Sequence, residues 1–156
     1  MLKILPESAA ASLRAKYAPE QIVFTNGCFD ILHVGHVRYL QAAKELGGRL
    51  VIGLNSDQSV RELKGAGRPI NNEADRAEIL AALAAVDHVI IFNEPRVTAL
   101  VKELRPHVYT KGGDYTIDSL NPEEVASLRE VGAQIRLLPL VPGKSTKALL
   151  RAIQEK

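Results

Sequence analysis

Residues 25–36, TNGCFDILHVGH, decide how the rest of the chain is read. The preceding QIVFT, residues 21–25, carries three consecutive apolar side chains and predicts a strand, which Asn26-Gly27 ends in a sharp turn. Downstream, Val37, Leu40, Ala43 and Leu46 recur at helical spacing until Gly47-Gly48 stops the pattern. The stretch therefore joins a buried strand to a helix. His33 and His36 stand three apart at the helix start, a spacing that lets both rings face one ligand. Gly35 removes a side chain where a phosphate or neighbouring backbone must come close. A helix N-terminus adds unpaired N–H groups and a favourable dipole. Together these features predict a polyphosphate site.

Outward from this stretch, short apolar runs alternate with helical ones. Strands are predicted at 50–54 (LVIGL), within 86–92, at 108–110 and at 134–138. Helices are predicted at 55–63, from Asn72 (with Asp75 three residues on, as in a capping box), after Asn93, from Asn121-Pro122-Glu123-Glu124, and at 145–153. Residues 2–16 read as a short surface helix. The organisation expected is a single domain over 1–156, with a helical extension at 1–19 and a core at 20–153. The fold class is α/β: a Rossmann-like parallel five-stranded sheet with helices on both faces. In such sheets ligands bind beyond the carboxyl ends of the strands, which selects residues 25–36, 54–57, 110–115 and 139–146.

Composition narrows the function. At 156 residues the chain is long enough for one core without a disulfide or metal staple. Aromatics make up only 4% and Trp is absent, against stacking of nucleic acid bases, so no nucleic acid partner is expected. Cys28 is the one cysteine, so no disulfide forms within the chain, and a reducing cytoplasmic setting is expected. Cys28 reads as a small buried hydrophobe rather than a nucleophile. The longest relevant apolar run, 79–86, is too short to span a membrane. Two histidines without a third and fourth ligand nearby do not predict a metal centre. Neither GxSxG nor a Walker GxxxxGK[ST] occurs; PGKST at 142–146 lacks the upstream glycine.

His33-Val34-Gly35-His36 after TNGCFD resembles the HxGH signature of the cytidylyltransferase-like superfamily. Further matches follow in order: Lys44, Asn55-Ser56-Asp57, Lys64-Gly65, Arg68-Pro69-Ile70, Arg76, Asp87, Lys111-Gly112-Gly113-Asp114-Tyr115, and Gly143, Ser145 and Thr146. KGGDY and PGKST most resemble the adenylyltransferase module of ADP-heptose synthases, here without the sugar kinase fused to it in many bacteria, so in its stand-alone version. Lys147 departs from that pattern, which has a second Thr. The resemblance implies transfer of AMP from ATP to D-glycero-β-D-manno-heptose 1-phosphate, with Mg2+ accompanying ATP, and a homodimer. It implies catalysis by His33, His36 and Lys44. It implies nucleotide and phosphate binding by Thr25, Asn26, Gly27, Cys28, Phe29, Gly35, Asn55, Asp57, Arg76, Ser145 and Thr146. Asp30, Lys111, Gly112 and Asp114 are implied on the acceptor or ribose side. A cytidylyltransferase for glycerol 3-phosphate or a phosphorylated amino alcohol stays open, as does a nucleotide-binding regulatory module.

Overall fold

A computed structural model describes residues 2–113, 115–139 and 141–156. Its centre is a parallel sheet of six strands: β1 (Ile4–Leu5), β2 (Ile22–Gly27), β3 (Arg49–Asn55), β4 (His88–Phe92), β5 (Val108–Gly112) and β6 (Gln134–Leu138). They lie in the order β1-β4-β3-β2-β5-β6. The five expected strands are present, and β1 is an addition. It is a two-residue edge strand, with Ile4 opposite Val89 and Leu5 opposite Ile90. Two residues show no alternation, so no period announced it.

The helices are α1 (Ala10–Lys16), α2 (Val34–Glu45), α3 (Asp57–Lys64), α4 (Glu73–Ala82), α5 (Thr98–Leu104), α6 (Pro122–Glu130) and α7 (Thr146–Gln154). Three starts are capped by the residues their sequences offer. Asn72 Oδ1 accepts the Asp75 N–H at 2.9 Å. Asn121 Oδ1 accepts those of Glu123 and Glu124, with Pro122 at the first position. Ser145 Oγ accepts that of Ala148. Asn93 does not cap α5, which starts later, after Val97 and without a side-chain cap.

Both faces of the sheet are covered, as the continuous apolar strands require. Ile22, Phe24 and Val51 pack with Leu13 of α1, Leu100 and Leu104 of α5 and Leu128 of α6. Their neighbours Val23, Leu50 and Ile52 face the other way, against Leu40 and Ala43 of α2 and Ala77 and Leu80 of α4. Each such side chain, fully buried, contributes about 1.5–3 kcal/mol relative to exposure. The N-terminal segment belongs to this packing. Ala10, Leu13 and Tyr17 are buried, so α1 is a core element rather than a surface helix. By contrast α7 buries no residue fully. Among the described residues no helix is long and apolar enough to cross a membrane.

Candidate functional site

A cleft of about 770 Å³ opens beyond the carboxyl ends of β2, β3 and β5. His33 is the N-cap of α2, in extended conformation at φ −136°, and its Nδ1 accepts the Gly35 N–H at 3.0 Å. His36 Nδ1 accepts the His33 N–H at 3.2 Å, so the two imidazoles satisfy a capping box with their centroids 3.9 Å apart. A backbone N–H only donates. Both Nδ1 atoms are therefore acceptors, and the proton of each neutral ring sits on Nε2. Both histidines line the cleft, with Nε2–H as the ring donor that no described residue takes up. Burial, and then the charge of Lys144, holds His33 below the ordinary imidazole range. Burial and the adjacent His33 push His36 down to about 4. Both rings are thus uncharged donors at neutral pH. Gly35 makes the arrangement sterically possible: a Cβ there would lie 2.7 Å from Cε1 of the His33 ring.

The strand end supplies the cleft floor. Thr25 Oγ1 lies 2.7 Å from the Tyr39 hydroxyl, and Asn26 Oδ1 accepts from the Tyr109 hydroxyl at 2.7 Å. Gly27, Cys28 and Phe29 also line it. Phe29 is held at φ +45°, uncommon for a non-glycine residue, and its ring sits 5.6 Å from that of His36. Burial raises the Cys28 thiol above its usual range, with nearby Lys64, Arg76 and Lys111 pulling the other way. Around this floor stand Lys64, Arg68, Arg96, Lys111, Lys144 and Lys147. Burial pushes the Lys111 ammonium below its usual range, and its Nζ lies 5.7 Å from the Tyr115 ring centroid. So cationic a concavity is built for an anion of several charges.

Three expected site residues are engaged elsewhere. Lys44 is not in the cleft: its Nζ donates to Gly48 O at 2.8 Å and pairs with Asp87 Oδ2 at 2.6 Å. Eight residues of helix separate it from His36, about 12 Å of rise. That distance carries it to the amino-terminal edge of the sheet, where β3 and β4 begin. Arg76 is buried and offers nothing to a phosphate. Its guanidinium donates to Cys28 O, Asn55 O and Asn71 O at 2.7, 2.8 and 2.9 Å, and pairs with Asp57 Oδ1 at 2.8 Å. Asp57 is consumed in that pair and does not line the cleft. Asp30 does line it, but its carboxylate accepts from the Ile70 and Asn71 N–H groups and pairs with Arg68 at 3.2 Å. It anchors the loop 68–71 rather than waiting for a substrate.

Of the rest, Asn55, Gly112 and Thr146 reach the cleft as expected, and Ser145 spends its hydroxyl on capping α7. Asp114 lies outside the described residues. Among the described residues no three His, Cys, Asp or Glu side chains converge on a point that would hold a metal ion.

The Cytidylyltransferase-like family matches residues 24–149, which contain the whole cleft. This chain belongs to that family. It is a nucleotidyltransferase. The bifunctional protein HldE of Geotalea uraniireducens is 49% identical over 153 residues, covering 98% of this chain and 31% of that protein. HldE of Mesorhizobium japonicum is 51% identical over 145 residues, 92% of this chain and 29% of the relative. The chain therefore spans about a third of the length of these curated relatives. Among solved structures, a lipopolysaccharide core biosynthesis protein from Thermoplasma volcanium superposes with a TM-score of 0.64 at 28% identity, covering 78% of this chain and 97% of its own. Pantoate–β-alanine ligase from Francisella tularensis, solved with β,γ-ATP and β-alanine, shares the fold alone, at TM-score 0.62 and 14% identity.

For this cytidylyltransferase-like chain, sequence reasoning missed most of the charge around the cleft. In the sequence Lys64 and Arg68 stand out only as parts of the family resemblance, Glu124 only as part of the helix start at Asn121, and Arg96 not at all. Lys147, the position where the sequence departs from the expected second Thr, is itself a lining residue.

Proposed function

We propose that this nucleotidyltransferase transfers AMP from ATP to D-glycero-β-D-manno-heptose 1-phosphate, releasing pyrophosphate and ADP-heptose. The observation that carries the reading is the paired Nε2–H donors of His33 and His36 in a cleft ringed by cations. The roughly 50% identity to HldE proteins supports the acceptor. The sugar phosphate oxygen attacks the α phosphorus in line and pyrophosphate leaves from the opposite side. Both reactants are anions, so the work is charge neutralisation and positioning. His33 and His36 donate to α-phosphate oxygens as charge builds on them. Lys144, Lys147 and Thr146, at the start of α7, hold the outgoing phosphates. Lys64, rather than Lys44, supplies a point charge from the opposite wall, and Lys111 meets the acceptor side. Mg2+ enters as the ATP complex, held by phosphate oxygens and water. The setting proposed is cytoplasmic and the assembly a homodimer.

The deciding experiment is pyrophosphate release with heptose 1-phosphate and each of the four NTPs. Turnover with ATP is expected to exceed the others. Faster turnover with CTP and glycerol 3-phosphate would overturn the substrates while leaving nucleotidyl transfer standing.

A further inference from the structure

Two carboxylates line an otherwise cationic cleft, Asp30 and Glu124. The oxygens of Asp30 are already taken by Ile70, Asn71 and Arg68. Those of Glu124 are not. Glu124 sits in the first turn of α6, and only 8% of it is exposed. Among the described residues its carboxylate makes one hydrogen bond, a long one of 3.4 Å from the Val97 N–H to Oε1. A carboxylate has about four lone-pair sites. Neither oxygen of Glu124 is among the buried side-chain atoms left without a partner, so the lone pairs that no protein donor fills open onto the cleft, where a ligand's donors can replace water.

Its neighbour does not fill them. Lys111 is close enough for Glu124 to act on its charge, yet among the described residues the two form no ion pair. The ammonium has the Tyr115 ring beside it instead. Among the described residues, a cation and a carboxylate without ion-pair partners thus share one end of the cleft. A ligand complementary to both carries an anion beside hydrogen-bond donors. Those donors are not cationic, because an ammonium seated on Glu124 would also face Lys111, Arg96 and Lys64. Neutral hydroxyls meet the requirement without repulsion.

We propose that Glu124 is the hydroxyl-reading residue of the cleft, accepting hydrogen bonds from the hydroxyls of a polyhydroxylated substrate whose phosphate is held by Lys111. It rests on the reading of the cleft as a nucleotidyl-transfer site for a sugar phosphate, and it disfavours phosphorylated amino alcohols as acceptors. The hydroxyls come from one of two sources, the nucleotide ribose or the sugar acceptor.

The test uses the full chain with Glu124→Ala and Glu124→Gln. Gln keeps the shape and an oxygen for the Val97 N–H, so it carries the test if Ala fails to fold. Calorimetric titrations with ATP, 2′-deoxy-ATP, 3′-deoxy-ATP and heptose 1-phosphate accompany a thermal melt and pyrophosphate-release kinetics. Loss of hydrogen bonds to a charged group predicts roughly a tenfold to hundredfold weaker binding of one substrate, with a smaller fall in kcat. If the ribose is the source, ATP affinity falls, the preference for ATP over a deoxy analogue collapses, and acceptor binding holds. If the acceptor is the source, heptose 1-phosphate binding weakens and discrimination among the nucleotides is unchanged. Folded variants whose affinities for all four probes stay within about threefold of the parent overturn the proposal. That result leaves the substrate reading intact, since the parent enzyme still turns over. If instead the parent releases no pyrophosphate with heptose 1-phosphate, the substrate reading fails, and the ATP titrations alone decide Glu124: unchanged affinity overturns it.

Discussion

At the scale of single residues, position along α2 separates chemistry from architecture. His33 and His36 occupy the first turn, where truncation opens no core cavity and removes a donor aimed into the cleft. His33→Ala and His36→Ala are each expected to lower kcat roughly 100-fold to 1000-fold while ATP affinity, measured by calorimetry, falls far less. The two losses are not expected to add, since both rings serve one phosphate. Retention of kcat within about threefold in either variant would remove that residue from the catalytic set. Lys44→Ala provides the contrast. Its ammonium is tied to Asp87 at the far edge of the sheet, so kcat is expected to stay near the parent value while the melting temperature drops slightly. The histidine pair was legible in the sequence because every atom of the device lies within twelve residues of one strand–helix turn. Lys44, which the resemblance implies beside them, is carried to the other edge of the sheet by the eight residues of helix beyond His36. The places of Lys64, Arg96 and Glu124 in the cleft were illegible for the opposite reason: they stand on three separate parts of the chain, gathered only by the order of the strands.

At the scale of elements, Arg76 binds the parts of the site together. One guanidinium on α4 reaches carbonyls just beyond β2 (Cys28) and at the end of β3 (Asn55), the loop carbonyl of Asn71, and the Asp57 carboxylate at the start of α3. These are the connections that shape the cleft, and a planar fork of donors is suited to several fixed acceptors at once. Arg76→Met leaves those acceptors buried without a donor. It is expected to cost about 3–5 kcal/mol in urea denaturation, the range for breaking a buried ion pair. Arg76→Lys recovers only part of that loss, having a point charge in place of the fork. A variant within 0.5 kcal/mol of the parent, roughly the scatter of surface substitutions, would show that the tie is not holding these ends. The helix itself was readable from Asn72 and Asp75, and its apolar face from Leu80. That an arginine points inward among those residues was not readable, because periodicity assigns charged residues to solvent. The same limit hid β1, too short for any period, and misjudged α1, whose inward Leu13 and Tyr17 find a partner in α5 only once the sheet is assembled.

At the scale of the whole molecule, the four histidines act in one direction. Burial holds His33, His36, His88 and His107 all below the ordinary imidazole range, with His36 at about 4. An imidazole depressed in the folded chain regains its affinity for protons on unfolding. Between pH 6.5 and 4 the unfolded chain therefore binds more protons, and stability falls as pH falls through that window. Above pH 6.5 the stabilisation is fully present. For His36, discounted for its partial access to solvent, the loss is on the order of 1–2 kcal/mol, or roughly 2–8 °C in melting temperature. Glu7, raised by burial and by Glu94, works in the opposite sense near its own titration and softens the acid end of the curve. Melting curves from pH 7.5 to 4 are expected to slope accordingly, and His36→Ala to flatten part of that slope. Bound ATP should flatten it further by another route. Phosphates beside the Nε2–H donors favour the protonated rings, raising both imidazoles toward their unfolded values and shrinking the difference that drives the loss. A slope unchanged by saturating ATP, with binding verified at each pH, would mean that the phosphates lie away from the histidine pair, and the cleft would have to be read again with its cations as the primary contact.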